Sequence, residues 1–372
     1  MTTSRRAALD ALVAVEQGRR VGSVLWGGGR LESFASRDRA FVVDLVHGVT
    51  RLRRALDHIM APHLRRDLDD DVRAAIRLGV YQLRYLDTPA HAAVHDTVAA
   101  APRRARGLVN AVLRKVADAP EPAWPAAAVQ HSYPDWLWNL AEDQWGEDGT
   151  ACLVAMNRPQ RPAARSDGYV QGRASAWVCE AVDRGCPDGG VLVDMCAAPG
   201  GKTTGVGPQW SAVVAMDVDA GRVQTLESTV RGLGSSAFVV RADGRRPPLR
   251  DTTADAVLVD APCSGLGALG RRSDARWSVD LGAVERLVEV QGDLLDAALG
   301  LLRPGGVLTY SVCTFTHQET TGVVEGFLHR HPTVEVLPVA EGPWRPHGSG
   351  GIVLAHDHGT DAMALFQFRR PG

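Results

Sequence analysis

Apolar residues recur at helical spacing through the first third of the chain. Ala7, Leu9, Leu12 and Val13 form one set, Phe41, Val42, Leu45 and Val46 a second, and Val72, Ala75, Ile76, Leu78 and Val80 a third. Intervals of three and four put each set on one helix face, and no strand-like alternation interrupts them. The pattern predicts an all-helical region over 4–118, with about six or seven helices packed as a bundle. Turn signals fall at Gly27–Gly29, Ala61-Pro62 and Thr88-Pro89, and the proline-rich run Ala119–Pro125 is a predicted linker. Two more helices are expected at Trp136–Trp145 and Ala151–Met156, before the run N-R-P-Q-R-P. From Val191 the period changes. Val191–Met195, Val213–Met216, Phe238–Val240, Ala256–Val259, Gly306–Val312 and Ala362–Phe368 have strand length and strand composition. Helical stretches are expected near Lys202–Val206, Arg222–Arg231, Ala283–Leu302 and Gln318–Arg330. Strands alternating with helices predict a mostly parallel, doubly wound sheet. The fold expected is therefore an all-α N-terminal domain followed by an α/β C-terminal domain, with no internal repeat.

Composition narrows the class. The 372 residues, 45% hydrophobic and 23% charged, are ordinary for a globular chain of two or three domains. No run of 18 apolar residues occurs, so no membrane-spanning helix is predicted. Arg5, Arg6, Asp10, Glu16, Arg19 and Arg20 break up the first thirty residues, which excludes a signal-peptide core and makes a cytoplasmic location the expectation. Charge is unevenly spread: residues 1–120 carry 20 Lys and Arg against 13 Asp and Glu, and the remainder 21 against 30. A basic first third suits a polyanion partner, whereas the acidic remainder does not suit general nucleic-acid coating. The six cysteines (Cys152, Cys179, Cys186, Cys196, Cys263 and Cys313) show neither a C-x-x-C pair nor zinc spacing. They read as free thiols, and no metal is expected.

Candidate chemistry gathers where predicted strands end. The strand V-L-V-D-M runs into Cys196-Ala197-Ala198-Pro199-Gly200-Gly201-Lys202. A glycine pair there lets backbone approach a ligand closely. A P-loop would need glycine where Cys196 stands, and G-x-G-x-x-G is absent, so neither NTP nor dinucleotide binding of those types is indicated. Asp217 lies 23 residues after Asp194 at the next strand end, where an acid binds ribose hydroxyls. Asp243 and Asp260 follow the third and fourth strands, which suggests a nucleoside site along the carboxyl edge. Cys263 in D-A-P-C-S-G-L-G and Cys313 in Y-S-V-C-T lie just beyond strand ends beside Asp260. Two thiols, a carboxylate and a nucleoside cofactor suit one reaction. A thiolate that adds to C6 of cytosine makes C5 nucleophilic toward a methyl sulfonium, and a carboxylic acid at N3 stabilises the developing charge.

Those three C-terminal motifs resemble the Sun (RsmB-like) family of RNA 5-methylcytosine methyltransferases. The stretches R-R-A-A-L-D-A-L, R-D-R-A-F-V-V-D-L-V-H-G-V-T-R, L-G-V-Y-Q-L-R-Y-L and G-L-V-N-A-V-L-R resemble the NusB-like helical domain such proteins carry. The resemblance implies a Rossmann-like methyltransferase sheet, an RNA substrate and S-adenosylmethionine as cofactor. It implies that Cys196–Lys202 form the cofactor loop, that Asp217 holds the ribose, that Asp243 lies by the adenine and that Asp260 touches cofactor and base. Cys313 becomes the C6 nucleophile, Cys263 assists release of the covalent product, and Lys202 orients Asp260. Expected domains are 1–120 (NusB-like, RNA-binding), 121–165 (linker and helical connector) and 166–372 (methyltransferase).

RNA-contact candidates are Arg158, Arg161, Arg271, Arg272 and Arg276, and the run Arg103-Arg104-Ala-Arg106 either binds phosphates or caps a loop. The chain also departs from the family. Asn157-Arg158-Pro159 is followed within about fifteen residues by Val170-Gln-Gly-Arg, so the small α/β RNA-binding segment expected between them is almost entirely missing. Thr314 and Ala268 replace a commoner serine and threonine. Small-subunit rRNA is the expected target. One alternative is a methyltransferase recruited to a small molecule or peptide, and another a non-catalytic RNA-binding or assembly factor, against which both cysteines and the intact glycine loop argue.

Overall fold

The apolar faces read from the sequence become the core of a helical bundle. The structure is a computed structural model and describes residues 4–29, 31–158, 163–339 and 341–372. Its helices α1 (Ser4–Glu16), α2 (Val21–Trp26), α3 (Ser36–Arg51), α4 (Arg53–Met60), α5 (Asp70–Arg84), α6 (Ala90–Ala100) and α7 (Arg106–Asp118) match the expected count. Leu9 and Leu12, Val42, Leu45 and Val46, and Ala75, Ile76, Leu78 and Val80 are all buried in one cluster. Helix α5 is central and buried on most sides, and it carries Arg77 inside the bundle. That cation is matched by Asp57 at 2.7 Å and Glu16 at 2.6 Å, as a buried charge requires. Residues 119–126 have no regular structure, as the prolines predict; α8 (Ala127–Gln130), α9 (Asp135–Trp145) and α10 (Glu147–Ala155) follow.

The chain divides into two compact units. One runs to Asn139 and includes the excursion Arg272–Ser278; the other comprises Leu140–Arg271 and Val279–Gly372. The excursion corrects one expectation. Its short helix α13 (Ala275–Ser278) buries Arg276 completely. The Arg276 guanidinium lies 4.0 Å from the Tyr133 ring centre and donates to the carbonyls of Arg51 and Ser132. Trp277 donates to the Thr50 carbonyl at 2.7 Å, and Ser273 pairs with His47 at 3.0 Å. Arg276 is thus a core residue of the helical unit and offers no guanidinium to RNA.

The second unit is built on a nine-stranded sheet. Before it come a short antiparallel pair, β1 (Ala163–Ala164) and β2 (Val170–Gln171), and helix α11 (Arg173–Gly185). The strands are β3 (Gly190–Asp194), β4 (Trp210–Asp217), β5 (Phe238–Arg241), β6 (Ala254–Asp260), β7 (Leu302–Val312), β8 (Glu335–Val336), β9 (Arg345–His347), β10 (Gly350–Val353) and β11 (Met363–Arg369). Their order is β5-β4-β3-β6-β7-β11-β10-β9, with β8 against β11. Strands β3 to β7 pair in parallel and β11 returns antiparallel beside β7. Buried from Ala254 to Val259, β6 has the continuous apolar character of a central parallel strand. Helices α12 (Ala220–Gly232), α14 (Leu281–Leu301), α15 (Val323–Arg330) and α16 (Ala355–His358) complete the unit. Asp219 and Asp280 cap α12 and α14, accepting from Arg222 N and Ala283 N at 2.8 and 2.7 Å.

All six expected strands lie in this sheet. The helix expected over Lys202–Val206 is instead a series of turns. Thr204 N and Val206 N keep helical bonds to the Gly200 and Lys202 carbonyls (3.0 and 3.2 Å), but the rung between them is lost: the Gly201 carbonyl accepts from the side chains of Arg165 (2.8 Å) and Gln171 (3.1 Å), and Gly205 N turns to the Lys202 carbonyl (2.9 Å). Strand order reverses at β3, which has β4 on one side and β6 on the other. The crevice beyond the carboxyl ends at such a switch point is where open α/β sheets bind ligands.

Candidate active site

The loop after β3 is tied to the next strand by its own backbone. Ala197 N donates to the Met216 carbonyl at 2.8 Å and Ala198 N to the Asp217 carboxylate at 3.3 Å. Gly200 adopts φ +104°, a conformation side chains resist. Asp217 is buried, accepts also from Asp219 N at 3.1 Å, and pairs with Arg222 at 3.2 Å. Arg222 in turn donates to the Ala198 carbonyl at 2.7 Å, so loop, acid and cation form one unit. Burial first, then Asp194 and Asp260, push the Cys196 thiol up. Asp243, beyond β5, is held by Arg245 (2.7 Å), whose hydrogen bonds lower its pKa.

Asp194, at the end of β3, belongs to the same group, although no motif marked it with a role of its own. It is fully buried and accepts from Thr203 Oγ1 at 2.7 Å, while its Oδ1 finds no hydrogen-bond partner among the described residues. Burial, the largest cause, pushes its pKa up to about 7. With Asp217 and Asp260 already paired to Arg222 and Lys202, the unpartnered Oδ1 of Asp194 is a buried acceptor that fits a ligand able to donate to it. Its signal was the same as theirs: a strand that ends in aspartate.

The thiol side is built by register. Strands β6 and β7 pair Asp260 with Ser311, so Cys263 and Cys313, three and two residues farther on, emerge at one edge. Their sulfurs lie 3.3 Å apart. The hydrogen bond to Cys313 is the largest cause raising the Cys263 thiol, followed by burial, and either sulfur can be the donor in that contact. Asp260 accepts from Lys202 Nζ at 2.7 Å and Ser311 Oγ at 2.9 Å. Burial works against the Lys202 charge, but the Asp260 carboxylate outweighs it and raises the ammonium pKa.

Gly267 allows the loops to meet. Its N–H donates to the Cys313 carbonyl at 3.0 Å, and a Cβ there would collide with the Ala362 carbonyl. Glu319, which no sequence signal marked, is fully buried on the five-residue π turn Gln318–Gly322. It accepts from Ser264 N (2.7 Å), Ser264 Oγ (2.5 Å), Thr316 Oγ1 (3.0 Å) and Gln291 (3.2 Å).

The arginine candidates separate. Arg158 is exposed; Pro159 and Arg161 lie outside the described residues. Arg271 is ion-paired with buried Asp361, and Arg272 is exposed. Arg104 is engaged by Asp69 and Asp71 at 3.0 and 2.8 Å, and Arg106 by the Ala99 carbonyl at 2.8 Å, which supports the loop-capping alternative there. No described helix is long and apolar enough to cross a membrane, and no group of three His, Cys, Asp or Glu that could hold a metal ion occurs among the described residues.

Comparisons with known proteins follow the division into helical and sheet regions. Residues 186–369 match the family model "16S rRNA methyltransferase RsmB/F" and residues 2–118 match the NusB family. The chain is 33% identical to the ribosomal RNA small subunit methyltransferase B of Thermus thermophilus, over 99% of this chain and 98% of that protein. It is 31% identical to the protein of that name from Pseudomonas syringae, over 96% and 95%. These alignments run over 405 and 429 positions, so at least 33 and 57 of them face no residue in a chain of 372. The crystal structure of PH0851 superposes with a TM-score of 0.79 at 19% identity, covering 99% of this chain and 98% of that one, which shows a shared fold.

Proposed function

The chain belongs to the RsmB/F methyltransferase family, and on that premise we propose that it forms 5-methylcytosine in small-subunit rRNA, using Cys313 as the nucleophile and S-adenosylmethionine as the cofactor. The observation that carries this reading is the pair of sulfurs 3.3 Å apart beside Asp260. In this reading residues 196–202, Asp217, Asp243 and Asp260 hold the cofactor, and the unpartnered Oδ1 of Asp194 joins them. Residues 1–120, with their excess of basic side chains, dock RNA, 121–165 connect, and 166–372 carry out the transfer. Arg158, Arg271 and Arg272 remain the proposed RNA contacts near the base.

When bound, S-adenosylmethionine supplies an electrophilic methyl group. The work of the protein is to make C5 of cytosine a nucleophile. The Cys313 thiolate forms a bond to C6, and the C5=C6 electron pair shifts toward C5 and N3. As that charge develops N3 takes up a proton from solvent, and the Asp260 carboxylate, fixed by Lys202 and Ser311, accepts the N3–H so formed. Once C5 carries its methyl group, a base removes the C5 proton, the double bond reforms, and Cys313 leaves as thiolate. Cys263 is the proposed base. It begins protonated, so its own proton must first pass to solvent.

This order of events gives two expected results. With small-subunit rRNA and S-adenosylmethionine, Cys263→Ala should form the covalent protein–RNA adduct but not resolve it, and the adduct should survive a denaturing gel. Absence of an adduct with any cellular RNA would overturn the mechanism. The second result concerns pH. Cys263 is raised in the resting pair by its hydrogen bond to Cys313 and by burial, and once Cys313 is bonded to C6, burial, Glu319 and Asp260 remain to keep it raised. Its ionised fraction therefore grows about tenfold per pH unit below its pKa. Resolution of the wild-type adduct, followed by quench flow from pH 6.5 to 8.5, should accelerate with pH; a rate that falls over that range would remove Cys263 as the base.

A second reading rests on the shortness of the chain. The relatives carry dozens of positions that have no counterpart here, and among the described residues between α10 and α11 the β1–β2 pair is the one regular element. If a recognition segment is gone, the scaffold could serve a small molecule or peptide. Mass-spectrometric mapping of 5-methylcytosine in rRNA with and without the gene decides: an unchanged map favours the second reading.

A further inference from the structure

We propose that Glu319 is a positioning residue for the thiol pair: its buried carboxylate joins the loop bearing Cys263 to the turn that follows Cys313 and so sets the spacing at which the two sulfurs act. The inference rests on the reading of Cys313 and Cys263 given above and goes beyond it, because Glu319 touches neither sulfur.

The connections are specific. Ser264, the neighbour of Cys263, donates to Glu319 twice, from N at 2.7 Å and from Oγ at 2.5 Å. Thr316, three residues past Cys313, donates to Oε2 at 3.0 Å. Gln291 of α14 donates to Oε1 at 3.2 Å and also to the Pro262 carbonyl at 2.9 Å, which holds the residue before Cys263. Tyr310 of β7 donates through its hydroxyl to the backbone carbonyl of Glu319 at 2.7 Å. The carboxylate is therefore gripped from the Cys263 loop, from the Cys313 turn and from α14, while its backbone is anchored to β7. A bond between Ser264 Oγ and Thr314 Oγ1 at 3.2 Å closes the ring directly beside both cysteines.

Stability alone does not call for such a group. A carboxylate taken fully out of water is costly to desolvate, and well-packed apolar residues commonly replace buried polar networks at no loss. What an apolar side chain does not supply is direction: several donors converging on two oxygens fix the loops more closely than packing does. The same negative charge also helps keep Cys263 protonated in the resting pair.

The test uses the full chain with in vitro transcribed small-subunit rRNA. Glu319→Gln keeps the shape and one acceptor oxygen but gives Ser264 Oγ and Thr316 Oγ1 an amide nitrogen in place of Oε2. The expected result is a kcat lower by about 10–100-fold, the scale of a small misplacement of reacting groups. The KM for RNA and the Kd for S-adenosylhomocysteine, measured by calorimetry, should stay within about twofold, since neither the glycine loop nor the RNA contacts are touched. Ser264→Ala, which removes one of the four bonds and spares the fold, should give a smaller fall in kcat with the same unchanged affinities. Wild-type kcat in both variants overturns the inference, as does a fall in kcat matched by an equal loss of S-adenosylhomocysteine binding, which would mean a general loosening. If Cys313→Ala retains activity, the thiol mechanism itself fails and takes this inference with it. If Cys313→Ala is inactive and Glu319→Gln is not impaired, only the role of Glu319 falls.

Discussion

Cys313→Ala is expected to reduce methyl transfer to RNA by about 10⁴-fold or more, the scale on which removal of a covalent nucleophile is felt. Without a sulfur bonded at C6, C5 of cytosine stays part of an aromatic ring and has no electron pair to offer. No other thiol among the described residues takes its place. Cys263 is the nearest thiol, but it is held protonated. Cys196 is pushed up by burial, Asp194 and Asp260. Cys179 is also buried and raised to about 12. The fold should survive, because Cys313 is only half-buried and alanine removes one atom, a change of about 1 kcal/mol. The loop at 196–202 is untouched, so calorimetric binding of S-adenosylhomocysteine should match wild type.

The contrast with Cys263→Ala makes this result diagnostic. Both variants stop turnover, one before the covalent bond and one after it. Cys313→Ala should give no adduct, Cys263→Ala should accumulate it, and the double variant should behave as Cys313→Ala. Tritium incorporation from labelled S-adenosylmethionine and a denaturing gel separate the three. A Cys313→Ala rate within a hundredfold of wild type would mean that the sulfur is not the nucleophile.

What could be read from the sequence depended on whether a feature is local. The helices of residues 4–118 are written in apolar periodicity, and the six main strands in runs of Val, Ala and Leu, so both appeared where expected. The aspartates and cysteines were legible because strand ends are local landmarks, and parallel pairing carries them to one edge. Lys202–Val206 was misread because one rung of its ladder, the Gly201 carbonyl, is taken by side chains of Arg165 and Gln171, about thirty residues away in sequence. Arg276 was misread for the same reason. An arginine in R-R-S-D-A-R-W looks exposed until Tyr133 and the carbonyls of Arg51 and Ser132, contributed from far back in the chain, enclose it. Glu319 had no signal, since its function lies in partners that only the tertiary fold assembles.

Lys202→Met should be the most damaging change that leaves both thiols in place. In the sequence Lys202 was a basic residue at the end of a glycine loop. In the structure it is buried and spans from that loop to the Asp260 carboxylate at 2.7 Å, with Ser175 Oγ at 3.4 Å. Among the described residues it is thus the one ion pair that joins the cofactor side of the site to the thiol side. Methionine fills the volume but leaves Asp260 with Ser311 as its remaining partner, free to turn from the position in which it meets N3. Loss of one preorganised charged partner from a transition state costs about 10²–10³-fold in kcat. The effect on stability should be smaller, about 1–3 kcal/mol, because the Asp260 side chain is 31% exposed and water takes up part of the lost pairing. The pH profile then separates charge from packing. Asp260 raises the Lys202 pKa, so the pair is complete below the ordinary lysine value of about 10.4 and is lost only as pH climbs through the higher folded value. Between pH 6 and 9 the ratio of wild-type to variant kcat should therefore be flat, with S-adenosylhomocysteine still bound. A ratio that closes toward one anywhere in that range would show that the ammonium of Lys202 is not what holds Asp260 to its task.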